Sequence, residues 1–560
     1  MQENKHQELN KIFEKSINDI EDYYNELFMY KQINYNLWNK IARYCDLDIK
    51  LHDYETEGDE LDLEINDATI INAVDMASNN EYGKIVGDGN FFKIVNNDGS
   101  TENQEFFDEI TKIILEHFNN ADSKFNETFL QTRKEKNVFG NIGISVFKND
   151  KYNEKNNLFI FKNYNIEEIT FDEGENRKVD TVFVDYNETN KTIYENFKPF
   201  LNEEFKQRTI TSPLEKTAYR LCIMRNPYFK SKQDIGIKNK EFVGIYYFVN
   251  NKQIIKTDLY NFKPIIIERA EKLHKEIYGR ARGTKIIKII ELLNKISGWE
   301  YRLIKRAVLP PLGQYAGTKT NRKPLDLTGE VVNDFEFIKE LGGSSPVFQL
   351  APTQAPVDLI RYYKDVLIKQ IYTAFNVDSL LDTALTSSQA TATEVLARQN
   401  IRDILLYGMI KSTCDQSLTP LIGNAINIFV NYILEKVKKE QENLDINNLN
   451  IVIGNNINVP AEIIEKILLG KQWYEIQYTY GITRINNNLK IQDILNYVQN
   501  IINLANADQS LLYSIDFYQV LKDFENLYGF GNSYLIEKDK YETIKMQLQQ
   551  LALNQQQQTV

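Results

Sequence analysis

The sequence predicts an α+β fold, mainly helical, and three observations carry that reading. Between Leu158 and Ile267 apolar residues alternate with a period of two, the mark of half-buried strands. From Thr284 to the end the period is about 3.6, which lines apolar side chains along one helix face. Glycines and prolines fence one long helical run among them. At 560 residues the chain is too long for one core, and ~150 residues per domain implies three or four units.

Composition narrows the class. Hydrophobic content of 42% and aromatic content of 12% suffice for well-filled cores. The net charge of −12 disfavours ordinary nucleic-acid binding, which draws its affinity from cations displacing counterions. It leaves room for a surface that DNA slides past without sticking. Cys45, Cys222 and Cys414 are far apart and form no CxxC pair, against a disulfide framework or zinc site. "MQENKHQELNK" has no apolar signal region, and no apolar run is expected to reach the ~18 residues of a membrane span. A soluble protein made in a cytoplasm is expected.

Along the chain, "NKIFEKSINDIEDYYNELFMYKQINYNLWNKIARYCD" has helical spacing, and "ETEGDELDLEIND" interrupts it with acids and a glycine. "ATIINAVDMASNNEYGKIV" returns to helix, and "GDGNFFKIV" is a turn entering a strand. A helical stretch from Gln104 to Asn137 runs into "VFGNIGISVFKN", a glycine-bearing strand. "NLFIFKNYN", "EEITFDE", "KVDTVFVDY", "AYRLCIMRN" and "FVGIYYFVNN" then form a meander of short strands. No period of 20–50 residues repeats, which excludes a solenoid.

Candidate chemistry is sparse. His6, His52, His117 and His274 stand at no metal-ligand spacing. Asp59, Glu60, Asp62 and Glu64 fit a solvated turn better than a magnesium site. In "FDEGENRK", Glu175 precedes Lys178 by three, but a strand-connecting turn explains it. "GRARG" lacks the Lys-Ser/Thr ending of a phosphate loop, and "GNIGIS" fits a tight turn beside a strand. "TATEV" is a capping box, with Thr391 capping and Glu394 reaching back. No enzyme, metal or cofactor is expected.

The run from Thr284 to Leu309, closed by Pro310-Pro311, is more informative. It predicts a helix of about 39 Å at 1.5 Å per residue. Ile286, Ile289, Ile290, Leu293, Ile296, Leu303 and Ile304 share one face, with Lys288, Glu291, Lys295, Arg302 and Lys305 opposite. Beyond it, glycines, prolines and short β-like pieces make a small module. A second helix, "VDLIRYYKDVLIKQIYTAFN", starts after Pro352 and Pro356. The polar loop "VDSLLDTALTSSQAT" and a very long helix from Thr391 to about Lys439 follow.

In this layout the chain resembles the portal proteins, the head-to-tail connectors of short-tailed bacteriophages (podovirus type). "DATIINAVDMASNNEYGKIV", "VFGNIGISVF", "KVDTVFVDY", "IYGRARG", the helix into "VLPPL", "LDLTGEVVN", "TATEVLARQ" and "QSLTPLI" occur in the family's order. Two positions depart: Ala270 stands where a tryptophan is frequent, and Val184 where an arginine is. The resemblance implies a wing (1–277), a first stem helix (278–309), a clip (310–352) and a second stem helix (353–376). A tunnel loop (377–390), a long wing helix (391–440) and a crown-like helical region with a polar tail (441–560) complete it.

Such proteins form closed rings, usually of twelve subunits, at a capsid vertex. They conduct double-stranded DNA during packaging and ejection, and they dock the terminase motor and tail adaptors. On that analogy Asp378, Ser379, Asp382, Thr386, Ser387, Ser388 and Gln389 belong to the tunnel loop. Thr318, Lys319, Asn321, Arg322 and Lys323 belong to a clip docking segment, and the charged stripe of the first stem helix suits a contact with a neighbouring subunit. Another virion adaptor protein, or a metal-dependent DNA-processing enzyme using Glu175 or the acidic loop near Asp59, are the alternatives.

Overall fold

The computed structural model describes residues 9–45, 67–87, 89–97, 103–149, 157–174, 176–230, 239–308, 312–316, 333–336, 347–349, 357–377, 406–440, 452–453, 457–468 and 471–478, with a few helical residues between 494 and 521. The fold is α+β and mainly helical. Helices α1 (Ile17–Gln32), α2 (Tyr35–Tyr44) and α3 (Thr69–Ile85) precede strand β1 (Phe92–Asn96) and helices α4 (Gln104–Asn119) and α5 (Phe125–Phe139). Helix α5 runs directly into β2 (Asn141–Lys148), which sits between β3 (Phe159–Tyr164) and β9 (Ile265–Arg269) in a three-stranded sheet.

The predicted meander is a five-stranded antiparallel sheet in sequence order: β4 (Ile169–Glu173), β5 (Val179–Thr189), β6 (Lys216–Arg225), β7 (Phe242–Phe248) and β8 (Ile254–Tyr260). Its alternation sorts side chains to two faces. Phe183, Cys222, Val243, Ile245 and Tyr247 meet Ile17, Ile20, Tyr24 and Leu27 of α1. On the opposite face Val182, Val184, Leu221 and Ile223 join a cluster shared with α2 and α3, while Tyr219 and Phe248 meet α6 (Asn190–Phe197) and α7 (Glu203–Thr211). Val184 is fully buried there, so the arginine expected at that position would have no water to reach. Helices α6 and α7, inserted between β5 and β6, are absent from the sequence reading. They are short and interrupted by Pro199, so periodicity alone does not detect them.

Polar groups pin α1 to the sheet. Arg220 lies over the Tyr24 ring, its Nη1 2.6 Å from Glu21 and its Nε 2.6 Å from Asp185. The fully buried Lys31 donates to the Glu167 carbonyl at 2.7 Å.

The chain then forms a single turn, Arg282–Lys285, and α8 (Ile287–Val308). The predicted continuous helix from Thr284 is therefore broken at Ile286, where φ −109 and ψ 13 leave the helical region. At 22 residues α8 spans about 33 Å rather than 39 Å. Strands β10 (Leu312–Ala316), β11 (Asn333–Glu336) and β12 (Val347–Gln349) form a small mixed sheet before α9 (Val357–Ala374).

A long helix occupies 406–440, interrupted by a π turn, Cys414–Leu418, before α10 (Thr419–Glu440). Pro420 supplies the cause. It has no N–H for the Gln416 carbonyl, and its ring pushes that carbonyl aside, so the helix widens one turn upstream. The segment Leu406–Leu434 is long and apolar enough to cross a membrane, contrary to the sequence expectation. Here Leu406, Ile410, Leu418, Leu421, Ile422 and Ile426 are buried against α4, β2 and β3, so this helix is apolar because it forms the core. The short hairpin β13 (Val452–Ile453) and β14 (Ile457–Asn458), helix α11 (Ala461–Leu468) and β15 (Tyr474–Tyr478) follow, ahead of the helical residues between 494 and 521. Strand β15 pairs with β1, joining Phe92 to Tyr478.

Candidate functional site: two antiparallel helices and their anchorage

Helices α8 and α9 run antiparallel. Glu300 meets Lys364 at 3.2 Å, while at the other end Arg282 Nη1 donates to the Phe375 carbonyl at 2.9 Å. Their shared seam is apolar: Ile287, Ile290, Leu293 and Ile296 are buried with Leu367, Ile371 and Phe375, over Ile70, Ala73, Val74 and Ala77 of α3.

One carboxylate ties both helices to the rest of the protein. Asp67 donates its backbone N–H to Asn294 Oδ1 (2.9 Å), accepts from Ser297 Oγ (3.0 Å) and lies 3.5 Å from Lys364. Burial alone would raise its pKa. Hydrogen bonds from Thr69 and Ser297 and the Lys364 charge outweigh burial and hold it below the usual range. The same Asp67, one residue before the N-cap Ala68, accepts from the Thr69 N–H at 3.0 Å where α3 begins.

The glycine motifs of the sequence meet each other beneath this pair. Gly140, at φ 78, ends α5, and a Cβ there would come within 2.6 Å of Ala281 N and 2.7 Å of Gly279 O. Asn141 clamps Gly279 from both sides, accepting from its N–H (2.7 Å) and donating to its carbonyl (3.1 Å). Thus "GRARG" and "GNIGIS" serve close backbone approach, not phosphate binding. Ala270, the second departure from the family pattern, donates its N–H to the Gly140 carbonyl at 2.7 Å in the same junction.

A buried ionic network holds the long helix just before its π turn. Glu268 of β9 pairs with Arg133 and, at 2.6 Å, with Lys136, both on α5, and accepts from Thr413 Oγ1 at 2.8 Å. Burial would raise the Glu268 pKa, but the two cations overwhelm it and hold the carboxyl far below its ordinary value.

The sequence-derived residues fare unevenly. Lys288 and Lys295 are exposed, whereas Glu291 is spent on Lys40 of α2 at 3.0 Å. Arg302 and Lys305 lie on α8 by backbone position. The docking candidates Thr318, Lys319, Asn321, Arg322 and Lys323 lie outside the described residues, as do the loop candidates Asp378, Ser379, Asp382, Thr386, Ser387, Ser388 and Gln389. So do Glu175, the acids from Asp59 to Glu64 and Thr391. "FDEGENRK" is the hairpin turn between β4 and β5, with Gly174 N–H donating to the Lys178 carbonyl at 2.9 Å. Among the described residues no three His, Cys, Asp or Glu converge on a metal position.

The structure adds what the charge pattern hid. The exposed face of α8 carries Leu292 and Trp299 (51% exposed) between its lysines. Helix α9 adds Leu359, Tyr362 (65% exposed) and Tyr363. The seven-residue spacing of Leu292 and Trp299 was the available signal, since it puts both on one helix face.

A helix pair anchored at its base and carrying unmet aromatic side chains describes a structural assembly subunit. A model of the bacteriophage head-to-tail connecting protein family matches residues 38–434. The chain belongs to that family, a family of structural virion proteins. Comparison with curated proteins gives no match. Among solved structures, a chain from the virion of a native gene transfer agent particle is similar over 73% of this chain and 94% of its own, at 9% identity and a TM-score of 0.30.

Proposed function

We propose that this connector is a portal of the short-tailed phage type, a ring at one capsid vertex through which double-stranded DNA is packaged and ejected. The ring has twelve copies. In this reading 278–309 and 353–376 are the stem, 310–352 the clip that docks terminase and then tail adaptors, and 377–390 the tunnel loop. Residues 1–277 with 391–440 form the wing, and 441–560 the crown. The observation that supports it best is the exposed belt of Leu292, Trp299, Leu359, Tyr362 and Tyr363 on α8 and α9. Aromatic side chains of this size are rarely left to water in a monomer, and they are favoured anchors at interfaces between subunits.

A second copy is the natural occupant. A ring joins two different faces of each subunit, and a rigid rod anchored through Asp67 presents one face at a fixed angle, which rotation can close. The net charge of −12 suits a channel past which DNA moves without adhering. Mass measurement with negative-stain imaging tests it: closed rings with a central channel wide enough for duplex DNA are expected. A stable monomer at high protein concentration and physiological salt would refute the reading.

A further inference from the structure

A cleft of about 960 Å³ opens between the β4–β5 turn, strand β9 and the π turn of the long helix, and the connector reading makes no use of it. Backbone groups along its floor are already taken. The Arg269 N–H donates to Gln416 Oε1 at 3.1 Å, and Asn424 Nδ2 donates to the Lys263 carbonyl at 2.9 Å, so β9 and the residues before it are tied to the long helix. Val179, Phe242, Ile266 and Ile267 are buried in the walls. What the cleft offers a ligand is charge, not a strand edge or an apolar groove.

Arg177, Lys178, Arg225, Lys263, Arg269 and Lys272 line it. Against these six cations stand Asp180, Glu241 and Asp415 in the lining and Glu173 behind it, which leaves two positive charges in excess among the described residues. Arg269 and Lys272 share the single carboxylate of Glu173, and Arg225 is matched by Asp180 at 3.1 Å. The excess sits in a chain of net charge −12, so it is a local feature and not a reflection of composition.

Lys263 makes the excess costly. It is largely enclosed, and its ammonium donates to the Val179 carbonyl at 2.6 Å, a neutral acceptor and the one it meets among the described residues. An ammonium has three N–H donors, so two are left over. Burial pulls its pKa down to about 8, opposed by Asp180 and reinforced by Arg269. An anion beside it relieves that cost. The cations are also held in place before any ligand arrives. Asn424 fixes the Lys263 backbone, and the Arg177 carbonyl accepts from Arg269 Nη2 at 3.1 Å, which pins the turn where Arg177 keeps a left-handed φ of 54.

We propose that this cleft binds a compact phosphate dianion. A phosphate group carries about −1.5 to −2 charges at neutral pH, which matches the excess, and its several oxygens can accept from neighbouring donors at once. The proposal is independent of ring formation and is tested on the full chain. The probe is radiolabelled inorganic phosphate, measured by equilibrium dialysis at constant chloride, and one saturable site per chain is expected. Lys263→Met should weaken binding at least ~10-fold without lowering the melting temperature in phosphate-free buffer, since it removes a charge that burial disfavours. Arg177→Glu/Lys178→Glu, at exposed positions, should weaken binding at least ~5-fold with melting unchanged. Lys288→Met/Lys295→Met, which removes exposed lysines of α8, should leave it unchanged. Absence of saturable binding, full affinity in both cleft variants, or an equal loss in the α8 variant would overturn the proposal. A short DNA duplex serves as competitor. If it displaced the label at a lower phosphate concentration than unlabelled phosphate does, the ligand would be a nucleic-acid backbone and the free dianion would be overturned.

Discussion

Two buried carboxylates respond to burial in opposite ways, because one has cations and the other has amides. Glu135 accepts from Gln131 Nε2 and Asn163 Nδ2, both at 3.1 Å and both on Oε1, while its Oε2 has no partner among the described residues. Burial pushes its pKa up to about 7, with the Gln131 hydrogen bond opposing and the Glu168 charge adding. The folded value lies above the unfolded one. Its favourable contribution is therefore complete below the unfolded pKa and is lost as pH rises through about 7. Glu135→Gln should gain stability relative to wild type between pH 5 and pH 8, on the order of 2 kcal/mol, in urea unfolding at the two pH values. Glu268 is the reverse case, ionised by Arg133 and Lys136. Arg133→Met leaves that buried carboxylate with Lys136 as its one cation and should cost about 3 kcal/mol. Adding Glu268→Gln should recover part of the loss, which unfolding of the single and double variants would measure.

Among the elements, the glycine junction carries the sharpest test. Gly140 combines a left-handed φ of 78 with backbone atoms 2.6 Å and 2.7 Å from any Cβ. Gly140→Ala should therefore cost at least ~2 kcal/mol and shift the whole unfolding curve. Gly83, in α3, has nothing within 4 Å of a Cβ. Gly83→Ala should stabilise by about 0.5–1 kcal/mol in the same measurement, since only the backbone entropy changes. The meander was legible because short apolar, β-branched runs such as "KVDTVFVDY" and "AYRLCIMRN" are separated by polar turns, although both faces of the central strands are covered and five consecutive residues of β6 are buried. The glycine motifs were visible but not their purpose, because Gly140 and Gly279 are brought together only by folding.

For the whole molecule, the α8–α9 belt makes assembly separable from folding. Trp299→Ser with Tyr362→Ser removes exposed rings and no buried ones. The midpoint concentration for assembly should rise at least ~30-fold, equivalent to about 2 kcal/mol, with monomer melting unchanged. Sedimentation across a dilution series would measure the first and calorimetry the second. An unchanged midpoint would mean that the belt lies outside the subunit interface.

What the sequence determined by itself was local: the α+β class, the strand meander, the fenced helices and the family resemblance. The first three rest on residues within one turn or one strand, where apolar spacing and glycine or proline placement act directly, and the resemblance rests on eight short segments in order. Tertiary structure alone decided the pairing of β1 with β15, the meeting of Gly140 with Gly279, and the neutralisation of Glu268 on β9 by two cations from α5. It also decided that Glu291 pairs with Lys40 of α2 at the surface while Trp299 faces water. These outcomes depend on which distant segments share a core. A helical period states which side chains lie on the same face, but the partner that buries a face belongs to the folded chain.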